Sequence, residues 1–505
     1  MIKIPIGKMS GDRIDSLFQR LINGNINQFY SILSQYDKES LFQHWSTLVR
    51  SIDELINFPS ELFDDENELL EFQMLNCDFE DENNARSLME TCQLLRKRFG
   101  DEVAKRFIDL FMMAFDMENS INFKLTTCHS GFSLNTIGQC INYFQARRIY
   151  FVTVLNLIPK IANGEKVIPY DSLFNDFLFE IEVSLVNVTS AYYNLLINKC
   201  LPDFELDFDG TRFISNFRYS HLESFFLEPE RLSLLDQLEF RPDTIQRQEL
   251  IEIPDNKLFS FTELLNTMLT YESTFDKYSI SRIKQFDEFN SLICGLKPFI
   301  EDDFNIIVDE QDFHNFTNTY TSINLYNGND NFLENLDSYL PFQKLNRTYF
   351  STVVLFNRFI YKTFSYLLSK SRKFQINSGF IFESKISKIL EEKGFKVLPD
   401  KRIKKKEFDI ITTKDGKIYN FQCKNNFIDF SSFNSDYNKL ARANNRFCRY
   451  YYNALIKEEK REDLIKEKIG LSEIEHFVIS RFPVITKNPR IINFNDLPNW
   501  NLFEF

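Results

Sequence analysis

The chain is poor in the residues that build metal-thiolate and disulfide frameworks. Its eight cysteines, at 77, 92, 128, 140, 200, 294, 423 and 448, form no CxxC pair, and only five histidines accompany them. A zinc site or a disulfide scaffold is therefore not indicated, and a reducing cytoplasm fits. Long apolar runs are lacking too. The opening MIKIPIGKMSGDRID has no signal-like apolar core, and the stretch 149–162 is short and interrupted by Pro159, so no membrane span is expected. No GxxxxGK[ST] loop and no internal repeat is found, which argues against an intrinsic ATP-driven helicase or translocase.

What is present is apolar bulk and polarised charge. With 43% hydrophobic residues in 505, the chain has material for two to four domains with sizeable cores. Residues 370–505 carry 27 Lys and Arg against 18 Asp and Glu, a net of +9, whereas residues 1–369 carry 32 against 54, a net of −22. A basic module suits phosphate-backbone binding, and an acidic one suits protein partners, so a partner protein on the acidic region is one expectation. A plain acidic scaffold is the alternative.

Residues 1–300 read as acidic helical domain or domains. Ile14, Leu17, Phe18, Leu21 and Ile22 recur at helical spacing, and two further helical patterns meet at Gly100. Segments 135–162 and 171–199 continue the style, and 215–300 reads as helical with breaks near Pro242 and Pro254. An acidic loop is expected near Phe63. Asp207-x-Asp209-Gly lacks the further ligands of a calcium loop, so 202–210 reads as a turn. Residues 301–345, acidic and Asn-rich with a turn cluster from Asn327, read as an irregular connection or small subdomain. Residues 346–370 then predict an apolar helix packed between the two halves, completing a connecting segment over 301–370.

The stretch 379–424 is where chemistry concentrates. Phe382, Ile386 and Ile389/Leu390 predict a helix ended by Gly394, with Glu383 near its start. Phe395–Leu398 predicts a short strand. Glu407–Thr413 predicts a second, with Phe408 and Ile410 on one side and Glu407, Asp409 and Ile411 on the other. Lys414-Asp-Gly-Lys417 is a hairpin signal. In the third strand, Ile418–Lys424, period-two alternation sets Asn420, Gln422 and Lys424 against Phe421 and Cys423. Asp409 and the Gln422/Lys424 pair are expected at the same end.

Phosphodiester hydrolysis wants a divalent cation on hard oxygen ligands, which Glu383, Asp409 and the Gln422 amide can supply. Lys424, two residues along the same strand face, can orient a water or neutralise the scissile phosphate. The alternative for Asp409 and Lys424 is a cross-strand ion pair worth ~0.2–1 kcal/mol. For Glu383 it is an acid complementing a helix dipole. Asp400 is a rival ligand that reads better as a turn residue, and Glu407 reads as a solvated strand residue.

This order of elements resembles the αβββαβ core of the PD-(D/E)XK nuclease superfamily, and the QxK motif at Gln422-Cys-Lys424 resembles its Mrr-like restriction-endonuclease branch. The resemblance covers roughly residues 375–485. It implies a restriction-endonuclease-like α/β domain over 371–505, which the helical reading of the N-terminal region makes one part of a multidomain, mostly helical chain. It further implies a catalytic set of Glu383, Asp409, Gln422 and Lys424, with the first three holding Mg²⁺ or Mn²⁺. The expected activity is DNA rather than RNA cleavage, as an endonuclease in restriction or prokaryotic antiviral defence. A homodimer is allowed, since many such nucleases pair to cut both strands. The alternative is a catalytically silent module that binds nucleic acid or assembles with partners.

Two basic groups could hold a phosphate backbone. Residues 401–406 place five basic residues in six, among them Lys404, Lys405 and Lys406. Lys439, Arg442, Arg446 and Arg449 recur along a helix whose other side carries Leu440, Ala443, Phe447 and Tyr451. Either group also reads as an ordinary solvated surface. Glu475–Arg481 predicts the last core strand, and the apolar tail from Trp500 is expected to dock, on the N-terminal region.

Overall fold

The computed structural model describes residues 3–62, 66–75, 82–124, 136–169, 178–217, 257–258, 260–277, 284–326, 328–336, 338–399, 401–426 and 436–500. The breaks expected at Pro242 and Pro254, the turn residue Asn327, Asp400, residues 63–65 of the acidic loop, 171–177 of a predicted helix and the last five residues lie outside these.

The N-terminal region is helical, as its 3.6-residue periodicity predicts. After strand β1 (Gly7–Ser10) come α1 (Asp12–Leu33), α2 (Lys38–Leu62), α3 (Glu66–Gln73), α4 (Glu82–Phe99), α5 (Asp101–Lys124), α6 (Ile137–Ile161) and α7 (Leu178–Cys200). α1 buries Ile14, Leu17, Phe18 and Ile22 and lies along α7, while α2 lies along α6. Gly100, at φ 97°, makes the break between α4 and α5 that few other residues would tolerate. Ions are buried between these helices as pairs: Arg147 Nε reaches Glu182 at 2.6 Å and Arg148 reaches Asp53 at 2.9 Å. Pairing is what makes such charges tolerable in a core. The turn expected over 202–210 is only partly one. Glu205–Phe208 is strand β2, which pairs antiparallel with β1 and with β3 (Phe213–Ser215). Asp209 is the turn residue, its carboxylate taking Thr211 and Arg212 backbone N–H groups and held at a pKa of about 2 by them.

The middle of the chain has more sheet than its sequence announces. Helices α8 (Thr262–Lys277) and α9 (Lys284–Leu296) precede an antiparallel sheet in the order β4 (Ile300–Glu301), β5 (Asn305–Asp309), β7 (Thr348–Thr352), β6 (Gln343–Leu345). Short helices α10 (Glu310–Thr319) and α11 (Phe332–Leu336) lie within it in sequence, and α12 (Val353–Ser369) follows. The described residues of 301–345 therefore form part of a sheet, the small subdomain of the two expectations, and the apolar helix starts at Val353 rather than 346. A single Phe-rich core, running from Phe261 to Phe374 and including Phe289, Phe356 and Phe364, crosses the boundary drawn at residue 300. Leu355, on α12, belongs instead to the N-terminal core, so this helix borders the N-terminal core and the Phe-rich middle core.

The C-terminal part opens with α13 (Arg372–Glu392), capped by the Ser371 side chain and ended by Gly394 at φ 81°. β8 (Lys396–Val397), a small hairpin of β9 (Arg402–Ile403) and β10 (Lys406–Glu407), β11 (Ile410–Lys414) and β12 (Lys417–Lys424) follow. Then come α14 (Tyr437–Glu459), α15 (Glu462–Ile469), β13 (Ile474–Ser480) and β14 (Ile491–Asn493). The five-stranded sheet runs β14-β13-β12-β11-β8, parallel from β14 to β12 and antiparallel beyond. Phe382, Ile386 and Leu390 of α13 cover one face through Ile410, Phe421 and Phe477. α14 covers the other, and its Leu440, Tyr451 and Leu455 continue into the N-terminal core. Tyr437 sits edge-on to Tyr192 of α7 at 5.8 Å. Trp500 docks on Phe395, Phe421 and Phe477 of this sheet, not on the N-terminal region. Among the described residues, no helix is long and apolar enough to cross a membrane.

Candidate active site

The Asp-Gly pair does what its chemistry predicts: Asp415 and Gly416 take φ 51° and 77°, and β11 turns directly into β12. The resulting register sets Ile410 opposite Phe421 and so brings Asp409 to the residues after it. Asp409 Oδ2 accepts the Cys423 backbone N–H at 2.7 Å and the Gln422 Nε2 amide. Asp409 is not inside a strand. The expected strand over 407–413 is split, with Lys406–Glu407 in the small hairpin and a bend at 409. In consequence Phe408 and Ile410 face different sides, Phe408 joining Ile411 and Ile410 joining Phe421.

Glu383 comes from α13, which starts at Arg372, so it sits mid-helix and not near a helix start. The dipole explanation for an acid there therefore fails. Its carboxylate receives the Lys401 ammonium at 2.8 Å. Lys424 ends β12 with its ammonium 5.2 Å from the centre of the Tyr450 ring. Asp409, Glu383, Lys424 and Lys401 all act on the Cys423 thiol, which burial pushes well up, with the two carboxylates adding to the rise and the two ammonium groups opposing it. Asp409 and Gln422 are in hydrogen-bond contact, and Glu383 and Lys424 lie near enough to act on the same Cys423 thiol.

Burial is the main electrostatic force here. It raises the Asp409 carboxyl above the ordinary aspartate range, against the Cys423 N–H and the Lys424 charge. Glu383 is raised as well, first by burial, with the Lys401 bond opposing and Asp409 adding to the rise. Behind the site, on the α14 side, Asn420 donates to Glu458 at 3.0 Å and meets His476 Nδ1 at 3.1 Å. Arg461 closes this network on Glu458 at 2.9 Å.

The basic groups fare differently. Lys404 and Lys405, at φ 45° and 69°, are the turn of the β9–β10 hairpin, and Lys404 is held by Glu467 of α15 at 2.5 Å. Lys406 pairs with Ile403 in that hairpin. Glu407 is solvated, 3.4 Å from Arg402. On α14, Lys439, Arg442, Arg446 and Arg449 are exposed while Leu440, Ala443 and Tyr451 are buried, with Lys439 3.8 Å from Asp436.

No family model, no curated protein and no solved structure matches the chain.

Among the described residues, no three His, Cys, Asp or Glu side chains converge as a metal cage. The set rests on two carboxylates and one amide. Sequence reasoning missed Lys401 as the partner of Glu383, the Cys423 N–H as the anchor of Asp409, and the Tyr450 ring under Lys424. Lys401 stands at the head of a basic run, which hid it; no local pattern announces the other two.

Proposed function

We propose that the C-terminal part of the chain is a metal-dependent nuclease that hydrolyses phosphodiester bonds, with DNA the expected substrate and internal cutting the expected mode. The observation that carries this is the contact of Asp409 with Gln422 where the end of β12 meets the start of β11, with Glu383 and Lys424 near enough to act on the Cys423 thiol between them. It is supported by the order α13, β8, β11, β12, α14, β13, which is the αβββαβ order of the PD-(D/E)XK nucleases that the sequence resembles. The setting, restriction or antiviral defence in a prokaryote, rests on that resemblance alone. A protein partner on the acidic region and a homodimer belong to the same proposal.

The residues fit a divalent cation. Glu383 and Asp409 are both held above the ordinary carboxylate range chiefly by burial, and a cation relieves that cost. Glu383, Asp409 and the Gln422 amide would hold Mg²⁺ or Mn²⁺. When bound, the ion supplies Lewis-acid polarisation of the phosphoryl group and lowers the pKa of a water. Asp409 is fixed for its role by the Cys423 N–H. The Lys424 ammonium would offset the charge that grows on the phosphate.

A second reading has its own observation. Gln422 offers Asp409 its amide nitrogen and Lys401 already neutralises Glu383, so both acids are satisfied without an ion. That is the arrangement of a silent binding module. Incubating the full chain with linear DNA, closed circular DNA and RNA under Mg²⁺, Mn²⁺ or EDTA separates the two. Metal-dependent cutting that Lys424→Ala abolishes supports the nuclease, and cut circles make it an endonuclease. Cutting that survives both EDTA and Lys424→Ala refutes it. Metal binding by calorimetry, lost in Asp409→Ala, is the second readout, and its absence favours the silent module.

A further inference from the structure

Both ammonium groups beside the candidate site rest on exposed aromatic rings. Lys424 lies 5.2 Å from the centre of Tyr450, which is 50% exposed. Lys401, while bonded to Glu383, lies 6.0 Å from the centre of Phe380, which is 58% exposed. Phe380 comes from α13, one turn before Glu383, and Tyr450 comes from α14, so the rings flank the site from opposite faces of the sheet. Neither exposure is required by the fold: α13 is anchored by Phe382, Ile386 and Leu390, and α14 by Leu440, Tyr451 and Leu455.

A site that gripped only the duplex backbone would need cations alone, because paired bases are stacked inside the helix and show no face to a protein side chain. Solvent-exposed rings interleaved with cations are what unpaired bases bind, by stacking, while the phosphates meet the charges. The cations are there. Arg446 and Arg449, four and one residues before Tyr450 on α14, are exposed, and Arg481, just after β13, is hydrogen-bonded by Nη1 to Asn425 at 2.9 Å, just past Lys424.

From this we propose that the site receives an unpaired polynucleotide strand, with Tyr450 and Phe380 stacking on bases to either side of the phosphate that meets Lys424. The proposal rests on the nuclease reading for the reaction but not for binding, so the two can fail separately. The test is fluorescence anisotropy of the full chain in EDTA with a labelled oligothymidylate, its RNA counterpart and a blunt duplex of equal length. Tyr450→Leu and Phe380→Leu keep apolar bulk and remove the ring, and Tyr450→Phe keeps the ring. We expect a single strand, DNA or RNA, to bind at least about tenfold tighter than duplex, and each leucine variant to lose about tenfold on the single strand, the scale of one stacked base. Tyr450→Phe should bind as wild type, and duplex affinity should not move. Duplex bound as tightly as single strand, or leucine variants indistinguishable from wild type, would overturn the proposal. Single-strand binding lost on ring removal, in a chain that cuts nothing, would uphold it and remove the nuclease reading instead.

Discussion

Replacing Asp409 separates a carboxylate held for chemistry from one held for structure. Its Oδ2 accepts the Cys423 N–H at 2.7 Å and the Gln422 amide, and burial nevertheless keeps its pKa above the ordinary range. The sign follows. An acid whose folded pKa is raised gives full stability below the unfolded pKa and loses it as pH rises through the folded one, so at neutral pH its ionised form costs stability. Asp409→Asn removes the charge and keeps an oxygen for the Cys423 N–H. Asp409→Ala removes both, leaving a part-buried donor unsatisfied at about 1 kcal/mol. The alanine variant should therefore be destabilised by that amount and the asparagine variant should equal or exceed wild type at pH 7, with the asparagine advantage shrinking as pH falls toward the ordinary aspartate range. Activity should vanish in both. Hydrogen exchange resolves this locally, where a chain of this size need not unfold in one step. The Cys423 amide should lose protection in Asp409→Ala and keep it in Asp409→Asn. Equal loss in the two variants would refute the reasoning, since it would make the charge itself the stabilising feature.

Lys401→Ala removes the cation that lowers the Glu383 carboxyl, so the acid limb of a pH–rate profile should move to higher pH. Because Lys401 is 56% exposed, stability should change by only about 0–1 kcal/mol; an unmoved limb would mean that Glu383 does not titrate in the reaction. Far from the site, Glu182→Gln leaves Arg147 buried beside a neutral partner and should cost roughly 3–5 kcal/mol by denaturant titration, whereas a cost below about 1 kcal/mol would show that water reaches the pair.

Local chemistry made part of this fold legible. Gly100 and Gly394 mark helix ends because they take positive φ, and Asp415-Gly416 fixes a register because only such pairs fit a two-residue hairpin of that hand. Once that register is set, the alternation of Phe421 and Cys423 against Asn420, Gln422 and Lys424 follows from the pleat. Strand pairing across long separations was not legible. Glu205–Phe208 carries Asp207 and runs into Asp209-Gly210, which reads as a turn, yet Leu206 and Phe208 are buried and its partner is Gly7–Ser10. The basic run at 401–406 conceals a hairpin in the same way, because Lys404 and Lys405 at positive φ carry none of the usual turn residues. The same masking hid the split at Asp409.

Domain independence was the harder property, for a physical reason. A buried stripe says that a helix face is covered and not what covers it. Leu440, Tyr451 and Leu455 satisfy that requirement equally well against the sheet below or the helices above, and in the structure they join Val478 and Phe482 to the N-terminal core. Gln19 of α1 donates to Tyr437 at 2.6 Å, and Lys487 in the loop before β14 pairs with Asp203, so the acidic and basic regions also meet through polar contacts. The α13 side of the sheet keeps a core of its own, while on the α14 side one core is therefore shared by the acidic and basic regions. α14 is the element common to both. It offers Tyr450 to Lys424, Glu458 to Asn420 and the Tyr451 hydroxyl to Ser480 of β13, and it also packs along α7 of the N-terminal region. The start of α14 is thus held by Tyr192 and Gln19, 245 and 418 positions away from Tyr437 in sequence, and no local pattern along the chain could have announced those partners.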